Sequence, residues 1–328
     1  MATVMVTGGR GFVGAWLAKA LLERGESVVS FDRRRLTEKP SAIGMLGIEG
    51  ELVQVEADLT DAEEVTRVLG EHRVETVFHL AAETIVGTVQ ASPTAGFESN
   101  VRGTWTVLEA ARERGVERFV FASSDKAYGA HETLPYREDF NLQPTAPYEA
   151  SKAAADLIAR SYWHSYGLPV AVTRFANIYG GGDLNFSRLI PEAVSAAIQG
   201  RAPVLRSDGS PERDFLYVED AAAAYLAIAD NLDRDDVRGE AFNAGGGSAH
   251  AVGEVVALIS RLAGTGVEPD IRGEGNPEGE IDRQYVDPTK LRETLGWTPS
   301  VGLEDGLRRT IDWYRDHPEA LPPAPTGR

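Results

Sequence analysis

Seven consecutive residues, Ser123-Ser124-Asp125-Lys126-Ala127-Tyr128-Gly129, say more about chemistry than any other stretch of this chain. They follow an apolar run at 118–122 that reads as a buried strand, so they stand at its carboxyl end. Further along comes Tyr148 and, one helical turn on, Lys152. Together they offer hydroxyl, carboxylate, phenol and two amines, a set able to move protons around a hydride transfer. Asp125 and Lys126 are neighbours, and neighbours on a strand point to opposite faces. Both can therefore reach one substrate only if the chain turns at this point. A local ion pair or a loop cap is the plainer alternative for these two.

The 328 residues carry 28 Arg but only 5 Lys, and two of those lysines are Lys126 and Lys152. Arginine keeps its proton near neutral pH, whereas a buried lysine can release it, so the placement points to proton chemistry. The chain is long enough for one large or two coupled domains. A net charge of −17 speaks against nucleic acid or an anionic membrane as a general partner. An anionic ligand must therefore meet a local positive pocket. With no cysteine, disulfides and thiolate metal sites are impossible, and no metal site is expected. The N-terminus runs directly into a strand without a basic leader, and no apolar run is long enough for a bilayer span. A soluble cytoplasmic protein is the expectation.

Thr7-Gly8-Gly9-Arg10-Gly11-Phe12-Val13-Gly14 links the first strand to the first helix. Gly8, Gly11 and Gly14 supply a tight turn, close backbone approach to a pyrophosphate and a helix N-terminus facing it. Asp32 closes the second strand 18 residues after Gly14, where a carboxylate can accept from both ribose hydroxyls of NAD. Arg33, Arg34 and Arg35 could receive a 2′-phosphate instead, but Asp32 would repel it, so NAD is favoured. Asp58, Leu59, Leu80, Ala81 and Ala82, at the ends of the third and fourth strands, are further candidate lining residues. Small residues at 81 and 82 let a dinucleotide lie flat, although ordinary tight packing accounts for them too.

These side chains need a scaffold, and the pattern supplies one. Strand-like runs at 3–7, 27–31, 51–56, 76–80, 118–123 and 169–174 alternate with helical segments such as 12–24. The alternation predicts an α/β fold, a doubly wound parallel sheet with helices on both faces and ligands at the strands' carboxyl ends. After Tyr179 the character changes, with Gly180-Gly181-Gly182-Asp183, Gly209, Gly245-Gly246-Gly247 and a Gly/Pro/Glu-rich stretch at 264–279. Shorter helices are expected at 220–231, 252–263 and 303–315. The expected division is a Rossmann cofactor domain at 1–178, a smaller, mainly substrate-binding domain at 179–320 and a tail at 321–328. Some strands are expected to cross that boundary.

The glycine pattern, His79-Leu80-Ala81-Ala82, Tyr148 with Lys152, Arg174-Phe175-Ala176-Asn177 before Tyr179-Gly180, and Arg213-Asp214-Phe215 before Tyr217-Val218 and Asp220 resemble an extended short-chain dehydrogenase/reductase. The resemblance covers nearly the whole chain and fits the sugar-nucleotide epimerase/dehydratase branch. Ser124-Asp125-Lys126, the residues around Tyr148, and Gly180–Asp183 followed by Arg188-Leu189-Ile190-Pro191 resemble CDP-glucose 4,6-dehydratases. The Asp-Lys-Ala part also resembles the inverting UDP-N-acetylglucosamine 4,6-dehydratases. Glu83 stands where Gln or His is more usual.

The resemblance implies an NAD-dependent enzyme acting on a nucleotide-diphosphate sugar. Tyr148 would take the 4-hydroxyl proton while NAD+ takes the C4 hydride. An ammonium beside a phenol stabilises phenolate, so Lys152, at i+4, is expected to lower the Tyr148 pKa and to hold the nicotinamide ribose. Ser124 would complete the relay, with Ser123 and Asn100 joining the cofactor contacts. Lys126 would take the C5 proton and Asp125 would protonate the leaving 6-hydroxyl, after which hydride returns to C6. A 4-epimerase, the alternative along with a reductase of the branch, has no use for that acid–base pair. A non-catalytic dinucleotide sensor would be expected to lack Tyr148 or Lys152. Arg213 and Arg283 are the candidates for the diphosphate, with Asn177, Arg188 and Arg206 beside them. Helices at 94–114 and 147–166 pair into a homodimeric bundle in this family, with Trp105, Leu108, Leu157, Trp163 and Tyr166 as compatible apolar residues. His79 reads as a satisfied core residue.

Overall fold

The computed structural model describes residues 2–33, 37, 40–275 and 281–323. Arg34 and Arg35, residues 276–279 of the Gly/Pro/Glu-rich stretch and residues 324–328 of the tail lie outside them. The first half folds into strands β1 (Thr3–Thr7), β2 (Ser27–Asp32), β3 (Val53–Glu56), β4 (Thr76–His79), β5 (Arg118–Ala122) and β6 (Val170–Phe175). The second half adds β7 (Asn177–Tyr179), β8 (Val204–Leu205), β9 (Glu212–Tyr217) and β10 (Ala241–Ala244). It ends with β11 (Ala249–Ala251), β12 (Asp270–Ile271) and β13 (Arg283–Gln284).

Seven strands form one parallel sheet in the order β10-β6-β5-β4-β1-β2-β3, the Rossmann arrangement expected from the alternation. The chain order reverses at β1, which pairs with both β2 and β4, and this opens a crevice at their carboxyl ends. Both faces are covered, which is why the strands read as apolar runs. Val4 and Val6 of β1 join an apolar layer with Leu17 and Leu21 of the helix Phe12–Glu23 and Ile228 of the helix Val218–Asp230. Met5 between them points the other way, into a layer with Val68, Leu108 and Ala155 from three further helices.

Residues past 178 complete the sheet of the first half. β10 pairs with β6, and the helix Val218–Asp230 packs against the helix Phe12–Glu23. The rest of the second half surrounds its own apolar cluster, including Ile190, Val194, Val255, Ile259, Leu307 and Ile311. Over it, β9 pairs with β11 antiparallel and with β7 and β13 in parallel.

Two helices matter for the site. Pro147–Tyr166 starts with Pro147 in its first turn, where the Glu149 carboxylate accepts from the Thr145 and Ala146 N–H groups, and stops at Gly167 with φ +73°. The helix expected at 94–114 is broken into Pro93–Phe97, a π-helical turn Glu98–Arg102 and Gly103–Arg114. Such a turn shifts side-chain direction and is common at functional sites; here it contains the buried Asn100.

Candidate active site

The crevice beside β1 is a cleft of about 720 Å³, and the expected cofactor residues from Gly8 to Ala82 line it together. These are Gly8, Gly11 to Gly14, Asp32 with Arg33, Asp58 with Leu59, and Leu80 to Ala82. The glycines are required by closeness. Gly8 has φ +71°, and a Cβ there would stand 3.0 Å from the Ala81 backbone. A Cβ on Gly14 would press into the Gly8 carbonyl oxygen. The helix Phe12–Glu23 starts on Gly11 without a side-chain cap, so the first N–H groups of the helix are left for an anion. Asp32 is buried at the end of β2, where one carboxylate oxygen accepts from the Arg10 N–H at 3.1 Å. Arg33 is ion-paired at 3.0 Å with Glu83 across the cleft, so its charge is already engaged rather than waiting for a 2′-phosphate. Glycine cradle, uncapped helix and terminal carboxylate fit a dinucleotide with a free 2′-hydroxyl.

Asn100 stands behind this lining. Its amide accepts from the Glu83 N–H at 2.7 Å and donates to the Glu83 carbonyl and to Ser151 Oγ. It thus ties the β4 loop to the helix of Tyr148. His79 is fully buried between Thr7 Oγ1 and Thr104 Oγ1 and stacks on Phe121. Burial, with the charge of Lys152, lowers its pKa to about 3, so it is a neutral core residue as expected.

The turn that Asp125 and Lys126 need is present. Ser124 is extended, its hydroxyl oxygen accepts from the Lys126 N–H at 3.2 Å, and Asp125–Tyr128 coils into one 3₁₀ turn. The Ser124 hydroxyl also donates to Asp125 Oδ1 at 3.1 Å. Asp125 is buried, and burial raises its pKa against the lowering influence of Lys126, Ser124 and Arg213. A carboxyl held towards its neutral form is suited to give a proton rather than take one. The hydroxyl of Ser123 is buried without a protein partner.

Tyr148 is buried on the first turn of its helix, near Ser124, Asp125 and Arg188. Its pKa is pushed up to about 12, chiefly by burial, and is not lowered by Lys152 as expected. The reason is the direction of the lysine. Lys152 Nζ donates to the Ala122 carbonyl at 2.8 Å and lies 5.4 Å from the Phe121 ring centre. Burial lowers its own pKa to about 8, with Asp156 opposing. Burial therefore sets both shifts, outweighing Arg188 and Ser124 at the phenol and Asp156 at the amine.

Behind the turn runs a sealed polar network. Arg174 donates through Nε and Nη2 to Asp156 at 2.8 and 2.9 Å, and through Nη1 to Tyr128 Oη at 3.1 Å. Tyr128 Oη donates to Asn243 Oδ1 at 2.8 Å, and the Asn243 amide donates to the Tyr136 carbonyl. β6, β10, the Asp125 turn and the Tyr148 helix are thereby joined behind the reactive groups.

The expected substrate residues separate. Arg213, on β9, influences Asp125 and donates to the Glu212 and Asp282 carbonyls at 2.9 Å, so it stands on the site's side. Asn177 donates to the Asp214 carbonyl at 3.2 Å. Arg188 reaches into the cleft's lining, bonded to Asp183 at 2.9 Å and Thr84 at 3.0 Å. Arg283 is turned outward, half exposed, and pairs with Glu212 at 2.8 Å. Arg206 is exposed beside Glu192. Strand alternation explains the outward turn of Arg283, because its neighbour Gln284 takes the buried face of β13.

Three groups at the site had no place in the sequence reading. Gln284 is fully buried and accepts from Lys126 Nζ at 3.3 Å. Asp214 is buried, accepts from the Gly246 N–H at 2.8 Å, and has its pKa raised to about 7 by burial. Tyr136 donates to the Gly129 carbonyl at 2.7 Å just past the turn. Asp214 stood in plain view within Arg213-Asp214-Phe215, but its burial against the Gly246 N–H comes from a contact 32 residues away in sequence.

Residues 5–310 match the family described as GDP-mannose 4,6 dehydratase. A dTDP-glucose 4,6-dehydratase of Xanthomonas campestris pv. campestris (strain B100) is 35% identical over 335 residues, covering 96% of this chain and 93% of that protein. The structure of a dTDP-glucose 4,6-dehydratase from Bacillus anthracis in complex with NAD is 29% identical. It superposes with a TM-score of 0.85 over 98% of this chain and 99% of that one. A UDP-glucose 4-epimerase from Thermotoga maritima, with UDP-glucose, is 28% identical with a TM-score of 0.88, covering 96% and 99%. These dehydratases are named for dTDP-glucose rather than CDP-glucose, within the same branch. Fold similarity alone does not part dehydratase from epimerase; the residues at the site must.

Proposed function

Since the chain belongs to the GDP-mannose 4,6 dehydratase family of extended short-chain dehydrogenase/reductases, we propose that it is an NAD-dependent nucleotide-sugar 4,6-dehydratase. The observation that supports this reading is the Ser124-capped turn, which sets Lys126 directly beside Asp125, a carboxyl drawn towards its neutral form by burial and within electrostatic reach of Tyr148. When bound, NAD supplies a hydride acceptor for C4 and returns the hydride to C6. Residues of the glycine loop, Asp32, Leu80 to Ala82 and Lys152 would hold it.

Tyr148, relayed through Ser124, accepts the proton of the sugar 4-hydroxyl. To accept that proton Tyr148 must first release its own, which burial disfavours and the Arg188 charge and the Ser124 hydroxyl favour. The resulting ketone acidifies C5–H, and the Lys126 amine takes that proton. Asp125 delivers its proton to the 6-hydroxyl, the C6–O bond breaks and water leaves. Lys126 then returns a proton to C5, and the product is a 4-keto-6-deoxy sugar. Arg213 and Arg188 are proposed to meet the diphosphate, with residues 179–320 proposed to supply most of that side. Arg283 would join only by leaving Glu212.

Trp105, Leu157 and Tyr166, each about half exposed on the helices Gly103–Arg114 and Pro147–Tyr166, support a homodimer built on these two helices. Leu108 is fully buried instead, and Trp163 is half-buried with Arg238 over its ring. A cytoplasmic setting goes with the reading, because NAD and nucleotide sugars are pooled there.

The test is incubation with CDP-, UDP-, dTDP- and GDP-hexoses without added reductant, dTDP-glucose first. A 4-keto-6-deoxy product, lost in Asp125→Asn and Lys126→Ala while NAD is still bound, is the expected result. A C4 epimer alone, the outcome favoured by the likeness to the Thermotoga enzyme, would replace this reading with 4-epimerase. Unimpaired dehydration in both variants would remove Asp125 and Lys126 from the mechanism.

A further inference from the structure

β13 is only two residues long, yet it sets one side chain against the acid–base turn. Its Gln284 lies opposite Arg213 of β9, fully buried, while Arg283 beside it is half exposed. Gln284 Oε1 accepts from Lys126 Nζ at 3.3 Å across 158 positions of sequence. The Gln284 amide nitrogen is buried with no protein partner. A polar side chain this deep, joined to the site through one lysine, has no role in holding the sheet that an apolar residue would not fill as well.

Lys126 has a task with two requirements. Its amine must be aimed, although it stands on a flexible four-carbon stem. It must also be able to exist without its proton, which a facing carboxylate would oppose by stabilising the ammonium. An amide oxygen meets both demands, since it accepts one hydrogen bond and brings no charge. We propose that Gln284 is a positioning residue for Lys126, aiming its amine at C5 of the sugar through a neutral acceptor; this rests on the dehydratase reading.

The other groups around the turn are consistent with that arrangement. Asp125 on the turn itself and Asp214 on β9 are both drawn towards their neutral forms by burial. Arg213 from β9 adds positive charge, and Tyr136 and Tyr148 face the same region as phenols. Gln284 is thus a permanently uncharged partner within reach of Lys126.

The experiment compares wild type, Gln284→Ala and Gln284→Glu on a hexose nucleotide that the wild type dehydrates. It reads kcat, KM, the isotope effect from deuterium at C5, and the pH profile of kcat. Gln284→Ala is expected to lower kcat by about tenfold to a hundredfold with KM little changed, and to enlarge the C5 isotope effect as C5 deprotonation becomes limiting. Gln284→Glu, of the same shape, is expected to move the acidic limb of the profile upward by about one pH unit or more. If Gln284→Ala does not fold, the Gln284→Glu profile decides alone. Unshifted profiles and isotope effects in a dehydrating wild type and its variants would overturn the role of Gln284 and leave the dehydratase reading standing. A wild type that makes no 4-keto-6-deoxy sugar overturns that reading, and this proposal with it.

Discussion

Arg174 and Asp156 form a bidentate pair with side chains 2% and 0% exposed, joining β6 to the helix that carries Tyr148 and Lys152. Asp156 lies one turn beyond Lys152, so the pair fixes that helix in register with the strand ends. Removing one member leaves a buried, uncompensated charge. Asp156→Ala is expected to cost about 3–5 kcal/mol, read as a lower urea midpoint at unchanged m. A double variant, Asp156→Leu with Arg174→Met, should recover much of that loss, which a double-mutant cycle would measure.

Gly14→Ala addresses the cofactor cradle. The added methyl meets the Gly8 carbonyl oxygen, so the loop must move away from its pyrophosphate-binding shape. Purified variant protein is expected to carry no NAD and to bind it at least about tenfold more weakly by calorimetry, roughly 1.4 kcal/mol. NAD affinity equal to wild type would contradict the assignment of this loop.

Asp214 should leave a signature in pH-dependent stability. Its folded pKa is raised from 3.8 to about 7, so between those values the folded protein keeps a proton that the unfolded chain has released. Stability from this group is complete below pH 3.8 and declines as pH rises to about 7, by no more than about 1.4 kcal/mol per unit. Asp214→Asn preserves an acceptor for the Gly246 N–H and abolishes the titration. Denaturation midpoints across this window should therefore fall less steeply in the variant than in wild type.

Lys152 behaves with the opposite sign. Its folded pKa is lowered from 10.5 to about 8, so its contribution to stability is complete above 10.5 and is lost as pH falls through 8. At pH 7 the charged, buried amine is a burden on the fold. Lys152→Met is expected to keep or raise Tm at pH 7 while kcat falls by about a hundredfold or more. A variant that loses both in parallel would mark Lys152 as structural.

What was legible in the sequence was local. The glycine loop, the strand-terminal Asp32 and the Tyr148–Lys152 spacing all lie within a few turns of chain, and their geometry follows from helix and strand periods. The Asp125–Lys126 pair posed its own condition, a turn, and the Ser124 hydroxyl satisfies it by capping the Lys126 N–H. Long-range choices were not legible. Gln284 meets Lys126 only because β13 pairs with β9, and the same pairing turns Arg283 to solvent. The Tyr148 pKa went astray for a similar reason, since helical spacing places Lys152 near the phenol but cannot reveal the Ala122 carbonyl that draws its amine away.

The position of β10 has a consequence for how the protein is made. Until residue 244 has left the ribosome, β6 is the open edge of an otherwise assembled sheet, with its backbone N–H and C=O groups available to any passing strand. The nascent chain must therefore guard a sticky border through the synthesis of some seventy residues, and a ribosome that stalls there leaves a species primed to aggregate.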